Sequence, residues 1–95
     1  MAVLAISYDI NKEGAAYSAA NKLVIDKIKA NFSNWWHHLD STWLVVTDKK
    51  PLDVANIVWS VMDANDELLV TPIASGSAWG GFNESGTKWL KDNLP

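Results

Sequence analysis

Two histidines stand side by side in Asn34-Trp-Trp-His-His-Leu-Asp-Ser-Thr-Trp43, with three tryptophans in the same ten residues. An imidazole can donate a proton near neutral pH, bind an anion or ligate a metal. Adjacent residues of a strand point to opposite faces, however, so His37 and His38 cannot share one ion if the segment is extended. At most one of them faces a site. The indoles offer a different chemistry: a flat apolar surface that either anchors a core or stacks on a base-like ring. A second group with chemical potential is Asp9, at the end of the apolar run Ala2–Ile10. A lone carboxylate at a strand end either accepts from nearby backbone N–H groups or contributes to a divalent-metal site, and such a site normally needs more than one carboxylate. A third is the stretch Gly76-Ser-Ala-Trp-Gly-Gly81. Glycines and serine let a backbone approach a phosphate and offer N–H groups to it, while Trp79 or Phe82 could cover a ring. The spacing matches neither a Walker nor a dinucleotide-binding pattern.

These residues need elements to hold them. Ala2–Ile10 is nearly all apolar, as expected of a central strand covered on both faces. Asn11-Lys-Glu-Gly14 makes a turn, and Ala16, Ala20, Leu23, Val24 and Ile28 then recur at helical spacing to about Ala30. Phe32 to Leu39 and Thr42 to Thr47 are aromatic and β-branched, and Asp40-Ser41 between them forms a hairpin turn. Asp48-Lys-Lys-Pro51 opens a second helix, with Asp as cap and Pro in the first turn, and Val54, Ile57, Val58, Val61 and Met62 make one buried stripe. Glu67 to Ile73 reads as a fourth strand, the Gly-rich stretch as a loop, and Glu84 to Asn93 as a short last helix capped by Asn83, with Trp89 and Leu90 docking back. The order β-α-β-β-α-β is a single ferredoxin-like α+β domain, an antiparallel sheet with two helices on one face plus a tail helix. Its other sheet face needs a second copy, a ligand or the tail to cover it.

Alternation sorts the aromatic residues. On strand two, Trp35, His37 and Leu39 share one face, and Trp36, His38 and Asp40 the other; on strand three, Trp43, Val45 and Thr47 oppose Leu44 and Val46. One set fills the core. The other either seals an interface or forms a stacking platform.

Composition narrows the function classes. The chain has 95 residues, 48% of them hydrophobic and 20% charged, which is enough for one soluble core. A domain this small gains from self-association, so a homodimer is expected. Net charge is −3, and all eight basic residues are Lys, spread along the chain. Without Arg, the commonest means of gripping phosphate or guanine bidentately is missing, and broad duplex binding is not expected. There is no Cys, so disulfides, thiolate metal sites and thiol nucleophiles are absent together. No run of apolar residues is long enough for a membrane span and no signal peptide is visible, so a cytoplasmic location is expected.

The words Ile6-Ser-Tyr-Asp-Ile10, Trp35-Trp-His-His-Leu-Asp-Ser-Thr-Trp43 and Ala78-Trp-Gly-Gly-Phe82 resemble the small bacterial and phage proteins called SinR-like. The opening strand ending in Tyr8-Asp9-Ile10 and the order of elements are also similar to the small CRISPR adaptation subunit described as an endoribonuclease. That second resemblance implies a ferredoxin-like homodimer in which Asp9 of each subunit converges on a divalent metal for nuclease chemistry. The chain departs from that family after the Asp, where Asn11-Lys-Glu-Gly14 replaces basic residues, and in having no Arg. The resemblances fit a role in phage or bacterial defence or counter-defence.

Taken together, the expectation is a binding protein with no resident metal or cofactor. Its candidate ligand residues are Tyr8, Asp9, Trp36, His38, Trp43, Ser77, Trp79 and Gly80, holding a nucleotide or nucleotide-derived small molecule between aromatic residues and the Gly-rich loop at a subunit junction. The alternatives are a nuclease built on Asp9, and an inhibitor or adaptor that binds a host or phage protein through its aromatic face.

Overall fold

The computed structural model describes residues 1–95. Its elements are β1 (Ala2–Asp9), α1 (Gly14–Asn31), β2 (Trp35–Leu39), β3 (Thr42–Thr47), α2 (Pro51–Trp59), β4 (Glu67–Pro72) and α3 (Glu84–Asn93). The four strands form one sheet in the order β2-β3-β1-β4, every neighbouring pair antiparallel. This is the ferredoxin-like arrangement, an α+β fold with α1 and α2 on one face. No helix is long and apolar enough to cross a membrane.

β1 lies in the middle of the sheet and is buried on both sides, as its unbroken apolar run requires. Leu4, Ile6 and Tyr8 face the helices and join Val24, Ile28, Trp43, Val45, Val54 and Val58 in the main core. Val3 and Ala5 face the other way, where Trp36, Leu44 and Leu90 make a second core beneath α3. The sheet face that two helices leave open is thus covered in part by the tail, through Leu90 and Trp89 as expected.

Several elements differ from their sequence outline. α1 buries Val24 and Ile28, with Tyr17, Ala20 and Ile25 packed beside them, while Leu23 turns outward at 54% exposure. The small Ala side chains around Leu23 made two helical stripes look like one. α2 stops at Trp59, and Val61 and Met62 follow in tight turns whose N–H groups donate to the carbonyls of Val58 and Trp59. They still pack on the main core. Lys50, not Asp48, is the N-cap residue, and Asp48 stands exposed. The local side-chain acceptor here is Thr47, whose Oγ1 takes the Lys49 N–H at 3.1 Å.

Asp66 ties the two loops at one end of the sheet. It is 6% exposed, and its carboxylate accepts from the backbone N–H groups of Asn11 (3.0 Å) and Asp63 (2.9 Å). Lys12 pairs with Asp63, and the Asn11 side-chain amide donates to the Asn65 carbonyl. The Asp63 N–H above all, with that of Asn11 and the charge of Lys12, holds the Asp66 carboxyl below its usual value against the opposing effect of burial. Removing the carboxylate in Asp66→Ala strands two N–H groups and is expected to cost roughly 2–4 kcal/mol in chemical denaturation. Because the folded value is the lower one, the stabilisation is complete above the ordinary carboxylate range near pH ~4 and fades as pH falls through the folded value. Asp66→Asn, which cannot ionise, should unfold at lower denaturant near neutrality and approach the parent chain in acid.

Candidate functional site

Beyond β4 the chain turns under the α3 side of the sheet, and Ile73 N–H donates to the Val3 carbonyl at 2.9 Å. The next segment is bracketed by Gly76 (φ 98°) and Gly81 (φ 84°), both in the left-handed region that side-chain-bearing residues rarely adopt. These turns place Ser77–Gly80 over the sheet and bring Phe82 edge-on to Trp36, centroids 4.8 Å apart at 87°. Asn83 then caps α3 by accepting the Gly86 N–H at 2.9 Å, as its position before the helix predicts. The helix is pinned to β2 by two indoles. Trp36 Nε1 donates to the Gly86 carbonyl at 3.2 Å, and Trp89 Nε1 to Asn34 Oδ1 at 2.8 Å.

Between the sheet, this loop and α3 lies a cleft of about 240 Å³. Leu39, Thr42 and Leu44 line its sheet side, Trp79 and Phe82 its loop side, and Leu90 its helix side. None of its lining residues is charged. Its polar groups are few: the Ser77 hydroxyl, loop backbone, and Thr42, whose Oγ1 is 3.2 Å from Ser7 Oγ. Ligand sites for whole drug-sized molecules start at about 300 Å³, so this space suits one ring system or one large side chain.

The structure brings four of the eight candidate residues together. Trp36, Ser77, Trp79 and Gly80 all line the cleft. His38 stands exposed beside it, with its ring 5.2 Å from that of Trp36 and 6.2 Å from Phe82. The absent side chain of Gly86 gives it room, since a Cβ there would lie 3.1 Å from His38 Nδ1. Asp9 is exposed at the far end of the same face by alternation, directly opposite Glu67 on β4. No group of three or more His, Cys, Asp or Glu side chains converges to hold a metal ion.

Tyr8 and Trp43 do not belong with these residues. Both face the helices in the main core, Trp43 at 0% exposure, and Trp43 Nε1 donates to the Tyr8 hydroxyl at 3.0 Å. Burial pushes the Tyr8 phenol above its usual value, and the Trp43 hydrogen bond opposes that shift. His37 lies flat on Trp43, centroids 3.9 Å apart at 12°, with Nε2 donating to the Asp40 carbonyl at 3.1 Å. Trp35 tilts against the same indole with the Lys29 ammonium 5.1 Å above its ring. The two histidines therefore take opposite faces, as strand alternation requires.

Sequence reasoning did not single out Leu39, Leu44 and Leu90 as cleft residues. The available signal was the amphipathic tail, whose Asn83 cap and Gly86-Leu90 spacing fix which side of α3 meets the sheet. On the outer side of Phe82 a shallow groove carries Lys88 and Lys91 together with Glu84 and Asp92. Lys88 is already paired with Asp92 at 2.6 Å.

No protein-family model matches this chain, and no curated protein and no solved structure matches it either.

The separation of the two faces is testable. Tyr8→Phe leaves the buried Trp43 N–H without its acceptor and is expected to cost about 1–3 kcal/mol in denaturant unfolding. It should leave any ligand affinity at the cleft unchanged, because the sheet stands between the two sites.

Proposed function

We propose that this protein works by binding, and that its cleft takes the flat, uncharged ring of a nucleotide-derived small molecule. The observation that carries this reading is Trp79, 38% exposed on a glycine-bracketed loop above an apolar cleft backed by Trp36 and Phe82. A ring entering there gains stacking area, while the Ser77 and Thr42 hydroxyls and loop amides offer in-plane hydrogen bonds. No cation lines the cleft, and the two lysines of the neighbouring groove are matched by Glu84 and Asp92, so affinity resides in the ring and a phosphate stays in solvent. The lining residues all come from one subunit, so this reading sets the ring within a subunit and not at the subunit junction that the sequence suggests. The SinR-like resemblance supplies a setting, sequestration of such a molecule in phage or bacterial defence or counter-defence.

A second reading, a partner protein anchored by one apolar side chain, draws on Leu39, which remains 49% exposed at the cleft's rim. The same pocket would serve, with a side chain in place of the ring.

Thermal shift against bases, nucleosides and nucleotides decides between them. A ligand at about a hundred times its Kd adds roughly 2.7 kcal/mol and raises Tm by about 10 °C or more in a domain of this size. Nucleosides should match their phosphorylated forms. Trp79→Ala should keep the parent Tm within a degree or two in the absence of ligand and weaken binding about tenfold or more. A panel that shifts nothing at any concentration removes the small-molecule reading.

A further inference from the structure

We propose that the open edge of β4, together with the outer flank of α2, is the surface on which a second copy of this chain docks. β4 ends the sheet, with β1 on one side and no strand on the other. The bond from Ile73 N–H to the Val3 carbonyl fixes the phase of the β1–β4 ladder. In an antiparallel ladder hydrogen-bonded pairs alternate, so Thr71, Leu69 and Glu67 bond inward to β1. Leu68 and Val70 therefore direct both N–H and C=O outward. At Pro72, the next outward position, there is no N–H to leave unpaired.

Apolar side chains flank that edge on both faces. On the α3 face Leu69 is 61% exposed. On the other face α2 packs over β4 and beside α1. Val61, just past the end of α2, meets Ala20 and Leu23 of α1 in a shared groove, which identifies the flank turned toward α1. At 100° per residue, Leu52, Ala55 and Trp59 fall on the opposite flank, toward the sheet edge. Leu52 is 69% and Trp59 41% exposed. Three large hydrophobic residues left in solvent thus border one unpaired strand.

The edge is complementary to itself. With a two-fold axis at Leu69, Leu68 of one copy pairs with Val70 of the other in antiparallel register, and every outward N–H and C=O of both residues finds a partner. Leu69 then meets its symmetry mate across the axis. Glu67 falls opposite Thr71 of the other copy, so no like charges face each other. The two α2 flanks come together above the joined strands, and one eight-stranded sheet results. This pairing leaves the cleft of each subunit free and does not depend on what that cleft holds.

Sedimentation velocity and light scattering across a concentration series test it. The parent chain should approach twice its 10.5 kDa mass. Leu69→Lys, which sets two ammonium groups across the axis, and the double variant Leu52→Lys with Trp59→Lys should each run at the single-chain mass with an unchanged far-UV spectrum. Trp79→Ala should remain dimeric. If Leu69→Lys does not fold, the helix double variant decides, since its two side chains are solvent-exposed in the subunit. A parent chain that stays at single-chain mass up to millimolar concentration overturns the proposal, as does a dimer that survives the substitutions.

Discussion

The fold depends on one strand serving two cores. β1 is flanked by β3 and β4, and each step along Val3–Ile6 sends an apolar side chain alternately to the helices and to the tail. A strand of this kind cannot be half polar, which is why its sequence is almost continuously apolar. The alternation also fixes where function can lie. Leu4, Ile6 and Tyr8 are committed to the helical core, whereas Ser7 and Asp9 emerge on the face that α3 covers only in part. The cleft opens on this face between the sheet, the Ser77–Gly80 loop and α3, with Leu44 beside Ala5 and Thr42 beside Ser7 on its sheet side.

Six tryptophans exceed what so small a chain can bury. Trp36 and Trp43 are nearly inaccessible, one in each core, while Trp35, Trp59 and Trp79 are each more than a third exposed. Each exposed ring has a different local reason. Trp35 carries the Lys29 ammonium on its face, Trp59 borders the open sheet edge, and Trp79 overhangs the cleft. Burial of a large aromatic stabilises a core by several kcal/mol, so rings left outside forgo that gain in the isolated subunit. Two of the three sit where another molecule can cover them.

The elements were largely legible because periodicity and capping are local: the alternation of β1, the Asp40-Ser41 turn and the Asn83 cap all depend on near neighbours. The site was legible only in part, and the reason is one extra residue in β2. In an unbulged hairpin with Leu39 opposite Thr42, Trp36 would oppose Val45 and share a face with His38 and Trp43. A register shift between Trp36 and Leu39 instead sets Trp36 opposite Leu44. That single-residue slip moves Trp36 to the tail side and leaves Trp43 on the helix side. Leu39, opposite Thr42 in either register, thereby comes to share a face with Trp36, and both line the cleft. Composition gives no warning of a bulge, since the chosen register reflects which face has room: Trp36 finds the Gly86 carbonyl as acceptor, and Trp43 finds the Tyr8 hydroxyl. The exposure of Leu23 is not legible for a related reason, because the alanines one turn before it suit either side of a helix.

The two edges of the sheet are treated unequally, and the difference follows from the same bulge. An edge strand invites pairing unless it is short, irregular, charged or covered. β2 has five residues, a register shift, and contact with α3 through Trp36 and Trp89, so its outer rim is neither long nor regular enough to template another strand. β4 runs six residues in unbroken register with β1, and only Glu67 at its start and Pro72 at its end oppose pairing. Between them Leu68 and Val70 keep their outward hydrogen-bonding groups. The irregularity that builds the cleft at one edge thus blunts that edge, while the regularity of β4 leaves the other able to join a partner.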